Sequence, residues 1–176
     1  AVGRWLAPYL STLGISSLAI NLRDHDHREL SSVEFADNDI AAAVNFLHEK
    51  GIDQFLLIAN SYGSNKAALF LSNKQVKNRM IGLVLLSAGG SKTDSPDLWK
   101  QVLENLREIT VPLLVVQAGA DEFVGQPREA GLELIHAPIN SSKNSLVVID
   151  GANHSFSNQK EGVCSEIEKW FMKTAW

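Results

Sequence analysis

Three residues of the right types, in a telling order, stand at the ends of apolar runs. Ser61 follows "QFLLIAN" and opens "SYGSNKAALF"; Asp121 follows "PLLVVQA" within "GADEFV"; His154 follows "SLVVID" within "GANHSF". A serine hydroxyl is a poor nucleophile until a neighbouring base accepts its proton, and that base needs an acid to orient it. Serine, carboxylate and imidazole together therefore point to acyl transfer, with Ser61 as nucleophile, His154 as base and Asp121 as the orienting acid. Each alone is weak, because serine and aspartate commonly sit in turns or cap helices. A lone loop histidine is most often a surface residue. Glu122 competes with Asp121, but a one-residue shift redirects the side chain. The small residues around Ser61, Gly63 among them, suit a sharp turn with a crowded backbone. The Tyr62 N–H, at the start of a helix, points to where an oxyanion would form.

The elements that must carry these residues are legible in the hydropathy pattern. Apolar runs at 16–21, 54–60, 81–87, 112–118 and 145–150 are continuous rather than alternating, as expected for strands buried on both faces. Between them lie amphipathic stretches. Ile40, Ala43, Val44 and Leu47 keep helical spacing, with Asp37 and Asp39 near the start and Gly51 at the stop. Val163, Ile167, Trp170 and Phe171 repeat the pattern near the end, and a helix around Trp5–Leu13 stops at Gly14. Alternating strand and helix predict an α/β fold, a mainly parallel sheet with helices on both faces, in one domain over residues 1–176. Ligands of such sheets bind beyond the carboxyl ends of the strands. Ser61, Asp121 and His154 all stand there.

Composition narrows the function classes. The 176 residues carry a net charge of −4 without a long basic run, which argues against binding nucleic acid or an anionic membrane. The single cysteine, Cys164, cannot form an internal disulfide and is expected to pack as a small hydrophobe. No apolar run reaches the ~18 residues of a bilayer span. No signal peptide is visible, so a cytoplasmic location is expected. "DHDH" at 24–27 mixes carboxylates and imidazoles, but alternate residues of an extended loop point opposite ways and no matching cluster appears elsewhere, so no metal is expected. Trp99, Trp170 and Trp176 read as packing residues. No G-x-G-x-x-G follows a strand and "YGSNKA" lacks phosphate-loop spacing, which leaves a nucleotide-binding fold as the weaker alternative.

Taken together, "IANSYGS", "VVQAGADEFV" and "IDGANHSF" resemble the nucleophile turn, acid loop and histidine loop of the α/β-hydrolase family, and "LAINLRDHDHRE" is similar to the segment after an early strand in it. The resemblance covers nearly the whole chain. It implies a three-layer sandwich, Ser61, Asp121 and His154 as catalytic residues, the Tyr62 N–H as one oxyanion donor, and no cofactor. The implied reaction is cleavage of a small carboxylic ester or thioester. Ala59, Ala118 and Asp24 stand where the family often has glycine. A third strand and its loop, which would lie between 16–21 and 54–60 and supply a second oxyanion donor, have no counterpart. An incomplete chain lacking the N-terminal strands is therefore expected, and a missing strand raises the chance of pairing between chains as a homo-oligomer; a rearranged sheet pairing 16–21 with 54–60 is the alternative. Residues 88–111 leave room for a loop and one helix, not a cap domain, so an open site is expected. The rival reading is a non-catalytic hydrolase-like scaffold that binds a ligand or partner.

Overall fold

Interior strands need apolar side chains on both faces, and two of the runs come near to that. A computed structural model describes residues 2–22, 33–71, 79–139 and 143–174. Its strands are β1 (Phe55–Asn60), β2 (Met80–Leu86), β3 (Leu113–Ala118) and β4 (Ser145–Ile149), all parallel and in spatial order β1-β2-β3-β4. Every residue of β3 is buried, as is β2 apart from Ile81; β1 and β4, at the two ends, are half-buried.

The helices are α1 (Gly3–Thr12), α2 (Val33–Glu49), α3 (Tyr62–Phe70), α4 (Ser91–Asp94), α5 (Pro96–Leu106), α6 (Pro127–His136) and α7 (Lys160–Thr174).

 Gly14 and Gly51, which end α1 and α2, have positive φ angles of 75° and 80°, the conformation that lets glycine stop a helix. Each strand steps the same way across the sheet, so right-handed connections place α3, α5 and α6 on one face. There Ala68, Leu69, Trp99, Val102, Leu106, Ala130 and Leu134 pack on Leu83, Leu85, Leu113 and Val115. The alternate residues Val84, Leu86, Leu114 and Val116 face α1 and α7, meeting Leu6, Leu10, Val163, Ile167 and Trp170. Burying each such aliphatic side chain contributes about 1.5–3 kcal/mol. Three layers result, and α2 lies outside α3 through Ile40, Val44 and Phe70. Cys164 is buried and free, on the α7 side of the core.

Residues 16–21 correct the sequence reading. They form no strand, and Leu18 and Ile20 are each 42% exposed. A β-prone run becomes a strand only when its backbone finds a ladder partner. Among the described residues β1 pairs with β2 alone, so the rearranged pairing of 16–21 with 54–60 does not occur either. Ile15 packs into the α1–α7 cluster and Leu22 beside Phe70, which leaves the segment between them running over the surface. Between β2 and β3 the chain forms the short α4 as well as the one helix expected, and no cap domain. Asp24, the 24–27 run and Trp176 lie outside the described residues.

Candidate active site

The carboxyl ends of β1, β3 and β4 bring the three predicted side chains together. Ser61 is the first residue after β1 and occupies the N-cap position of α3, with φ 56° and ψ −129°. A non-glycine residue held there costs on the order of 1–3 kcal/mol and persists only where its surroundings impose it. Its N–H donates to the Leu86 carbonyl at 2.8 Å, continuing the ladder with β2, and its carbonyl accepts from the Ser64 N–H at 2.9 Å. The hydroxyl makes no capping bond to α3. It meets His154 Nε2 at 2.6 Å instead. The helix-cap reading of this serine is thereby set aside by its own geometry.

Asp121 lies beyond β3 with its side chain fully buried. Both carboxylate oxygens are 2.8 Å from His154 Nδ1, and Oδ1 also accepts the Phe123 and Val124 amides at 2.9 and 3.0 Å. Burial alone would raise the Asp121 pKa, but these hydrogen bonds outweigh it and hold the carboxyl below its ordinary value. An ionised carboxylate only accepts, so Nδ1 carries the proton and Nε2 is left to accept from Ser61. His154 is 16% exposed at its side chain, and the Phe123 ring meets it edge-on with centroids 4.9 Å apart.

The loop bearing His154 is stapled by its own asparagines. Asn153 Oδ1 accepts the Ser157 N–H, Asn158 Oδ1 accepts the Asn153 N–H, and Asn158 Nδ2 donates to the Gly151 carbonyl. Phe156, fully buried at φ 54°, anchors the loop in the core. Glu122 does not compete for the imidazole. Its Oε2 accepts the backbone N–H of His154 at 3.1 Å, because the one-residue shift carries its side chain past the ring.

Tyr62 opens α3, so its N–H is among the first-turn amides that lack an acceptor within the helix. Its hydroxyl is buried without a hydrogen-bond partner among the described residues, and burial raises the phenol pKa. The Lys66 ammonium lies 4.9 Å from the Tyr62 ring centre.

The close backbone approach falls at a different glycine from the one expected. At Gly63 an added Cβ would meet nothing within 4 Å, so the described residues do not crowd it. At Gly119, which the sequence reading passed over, a Cβ would stand 2.9 Å from the Ile149 carbonyl oxygen and 3.0 Å from Asp150 Cα. The turn carrying Asp121 can approach β4 only because Gly119 has no side chain. Ser87 was also missed; its Oγ donates to the His154 carbonyl at 3.0 Å. Neither residue stands out by type or spacing, since both matter through backbone contacts distant in sequence.

A cleft of about 120 Å³ lies beside the Asp121 loop, lined by Gly89, Lys92, Val124, Gly125, Gln126 and Ala130. A cavity of about 350 Å³ at the start of α7, lined by residues 157–161, includes none of the three site residues. Among the described residues no cluster of three or more His, Cys, Asp or Glu side chains is arranged to hold a metal, and no helix is long and apolar enough to cross a membrane.

This architecture is the α/β-hydrolase fold. An esterase domain from Rhodothermus marinus superposes with a TM-score of 0.73 at 20% identity, covering 98% of this chain and 79% of that one. Est1E from Butyrivibrio proteoclasticus gives 0.78 at 17% identity, covering 99% and 82%. A Xanthomonas campestris α/β serine hydrolase described as having no lid gives 0.72 at 17% identity, covering 98% and 72%. No protein-family model matches the sequence, and no curated protein matches it.

Proposed function

We propose that the chain is a serine hydrolase that cleaves a small carboxylic ester or thioester through an acyl-enzyme. The observation that carries this reading is the continuous path Ser61 Oγ, His154 Nε2, His154 Nδ1, Asp121, with a serine hydroxyl committed to the imidazole rather than to its own helix. Ser61 Oγ attacks the acyl carbonyl while His154 Nε2 takes its proton. The Tyr62 N–H donates to the oxyanion at the positive end of α3. Collapse expels the alcohol or thiol, which leaves with the proton held by His154. Water then attacks the acyl-enzyme with His154 again as base, and Ser61 regains its proton. Asp121 holds the ring in one tautomer and stabilises its charged form. No cofactor enters these steps. The esterases and lipases among the structural neighbours are consistent with this chemistry, and the fold neighbour without a lid fits an open site.

The test is treatment with a fluorophosphonate and measurement of intact mass, with Ser61→Ala alongside. A single adduct on the wild type that is lost in Ser61→Ala is the expected result. A wild type that takes up no adduct would overturn the proposal and leave the non-catalytic scaffold reading.

A further inference from the structure

His154 is held by more than its ring. Ser87, the residue after β2, is 1% exposed and has φ 46°, a left-handed conformation that residues with a side chain seldom adopt. Its N–H extends the ladder to the Val116 carbonyl at 2.9 Å, and its Oγ–H donates to the His154 carbonyl at 3.0 Å. From the other side, Glu122 Oε2 accepts the His154 N–H at 3.1 Å. The histidine thus uses every polar group it has, each on a different residue: Nε2 on Ser61, Nδ1 on Asp121, N–H on Glu122 and C=O on Ser87. Glycine would fit the Ser87 backbone at lower cost, but it has no hydroxyl to offer. Strain kept at such a place signals a requirement on the side chain.

We propose that Ser87 and Glu122 are positioning residues that clamp the His154 backbone and so set the imidazole against Ser61. The inference rests on the hydrolase reading, and it assigns the two residues no contact with substrate. An imidazole free to drift loses the near-attack alignment on which proton transfer depends.

The rate of fluorophosphonate capture, followed by intact mass, reads the clamp. Ser87→Ala and Ser87→Gly should each slow capture by about tenfold, part of the roughly 10²-fold that a 1 Å misplacement can bring. Ser87→Gly should nevertheless melt at or above Ser87→Ala, because glycine releases the strain. Glu122→Ala should slow capture to a similar degree, whereas Glu122→Gln, whose amide oxygen still accepts, should keep close to the wild-type rate. Amide hydrogen exchange supplies a readout independent of chemistry. In Glu122→Ala the His154 amide should lose protection while the Phe156 amide, bonded to the Asn153 carbonyl at 2.8 Å, keeps it. Capture at the wild-type rate in folded Ser87→Ala and Glu122→Ala would overturn the clamp and leave the hydrolase reading standing. Glu122→Gln as slow as Glu122→Ala would overturn it in favour of a charge effect. A wild type that captures nothing would overturn the hydrolase reading and the clamp's role with it.

Discussion

Ser61 Oγ and His154 Nε2 lie 2.6 Å apart although 93 residues separate them in the chain. The contact depends on Asp121, which fixes the proton on Nδ1 and leaves Nε2 free to accept. Asp121→Asn should keep the fold, since the amide oxygen can still accept from the Phe123 and Val124 amides. It should lower the fluorophosphonate capture rate by on the order of 10⁴-fold, because the amide favours the wrong imidazole tautomer. Capture kinetics beside a thermal melt would check both halves.

Acid should weaken the protein partly through two carboxylates. Burial raises the pKa of Asp121 and of Glu133, but in each case hydrogen bonds outweigh it and the native value is lowered: the imidazole and two amides act on Asp121, Lys92 and Trp99 on Glu133. A lowered native value adds stability that is complete above the unfolded value and disappears as pH falls through the native one. Urea midpoints should therefore hold steady above about pH 5 and decline below about pH 4. Asp121→Asn should flatten that decline, and an unchanged slope would count against the assignment.

Gly119→Ala should destabilise the protein by about 1–3 kcal/mol, the range for overpacking against atoms that cannot move aside. The obstructing atoms are backbone of β4 and the residue after it, so the Asp121 turn must shift and capture should slow as well. Gly63→Ala is the matched control. With open space around its Cβ and a place in the first turn of α3, it should change stability by less than about 1 kcal/mol, in the favourable direction. Urea denaturation of the pair distinguishes close approach from mere glycine content.

Glu133 joins three helices. One carboxylate oxygen accepts from Lys92 of α4 and the other from Trp99 Nε1 of α5 at 2.8 Å. Trp99 is buried, so Glu133→Ala strands its N–H and should cost about 1–3 kcal/mol in urea denaturation. Glu133→Gln keeps an acceptor oxygen and should cost less. Equal losses in the two variants would mean that the charge, rather than the Trp99 hydrogen bond, is what matters.

Four of the five apolar runs are strands, and the helices around Ile40–Leu47 and Val163–Phe171 lie where their spacing places them. Hydrophobic periodicity reports burial directly, and burial is what these elements share. Ser61, Asp121 and His154 were legible for a related reason, since residue type and position after a strand already restrict which groups can converge. The run at 16–21 marks the limit. Its composition sets a preference for extended backbone, but pairing requires a neighbour that no local pattern supplies.

The sequence by itself determined four of the strands, the amphipathic helices and the order serine, aspartate, histidine, each just after a strand, because each is written in residues close together along the chain. Tertiary structure decided the rest: that the Ser61 hydroxyl turns to His154 instead of capping α3, that Glu122 takes the backbone of His154 while Asp121 takes its ring, that Ser87 accepts a left-handed backbone to reach the same residue, and that Gly119 rather than Gly63 needs to lack a side chain. These are contacts between loops far apart in sequence, where a rotation of one side chain or a few tenths of an ångström settles the outcome, and only the packed sheet sets those distances.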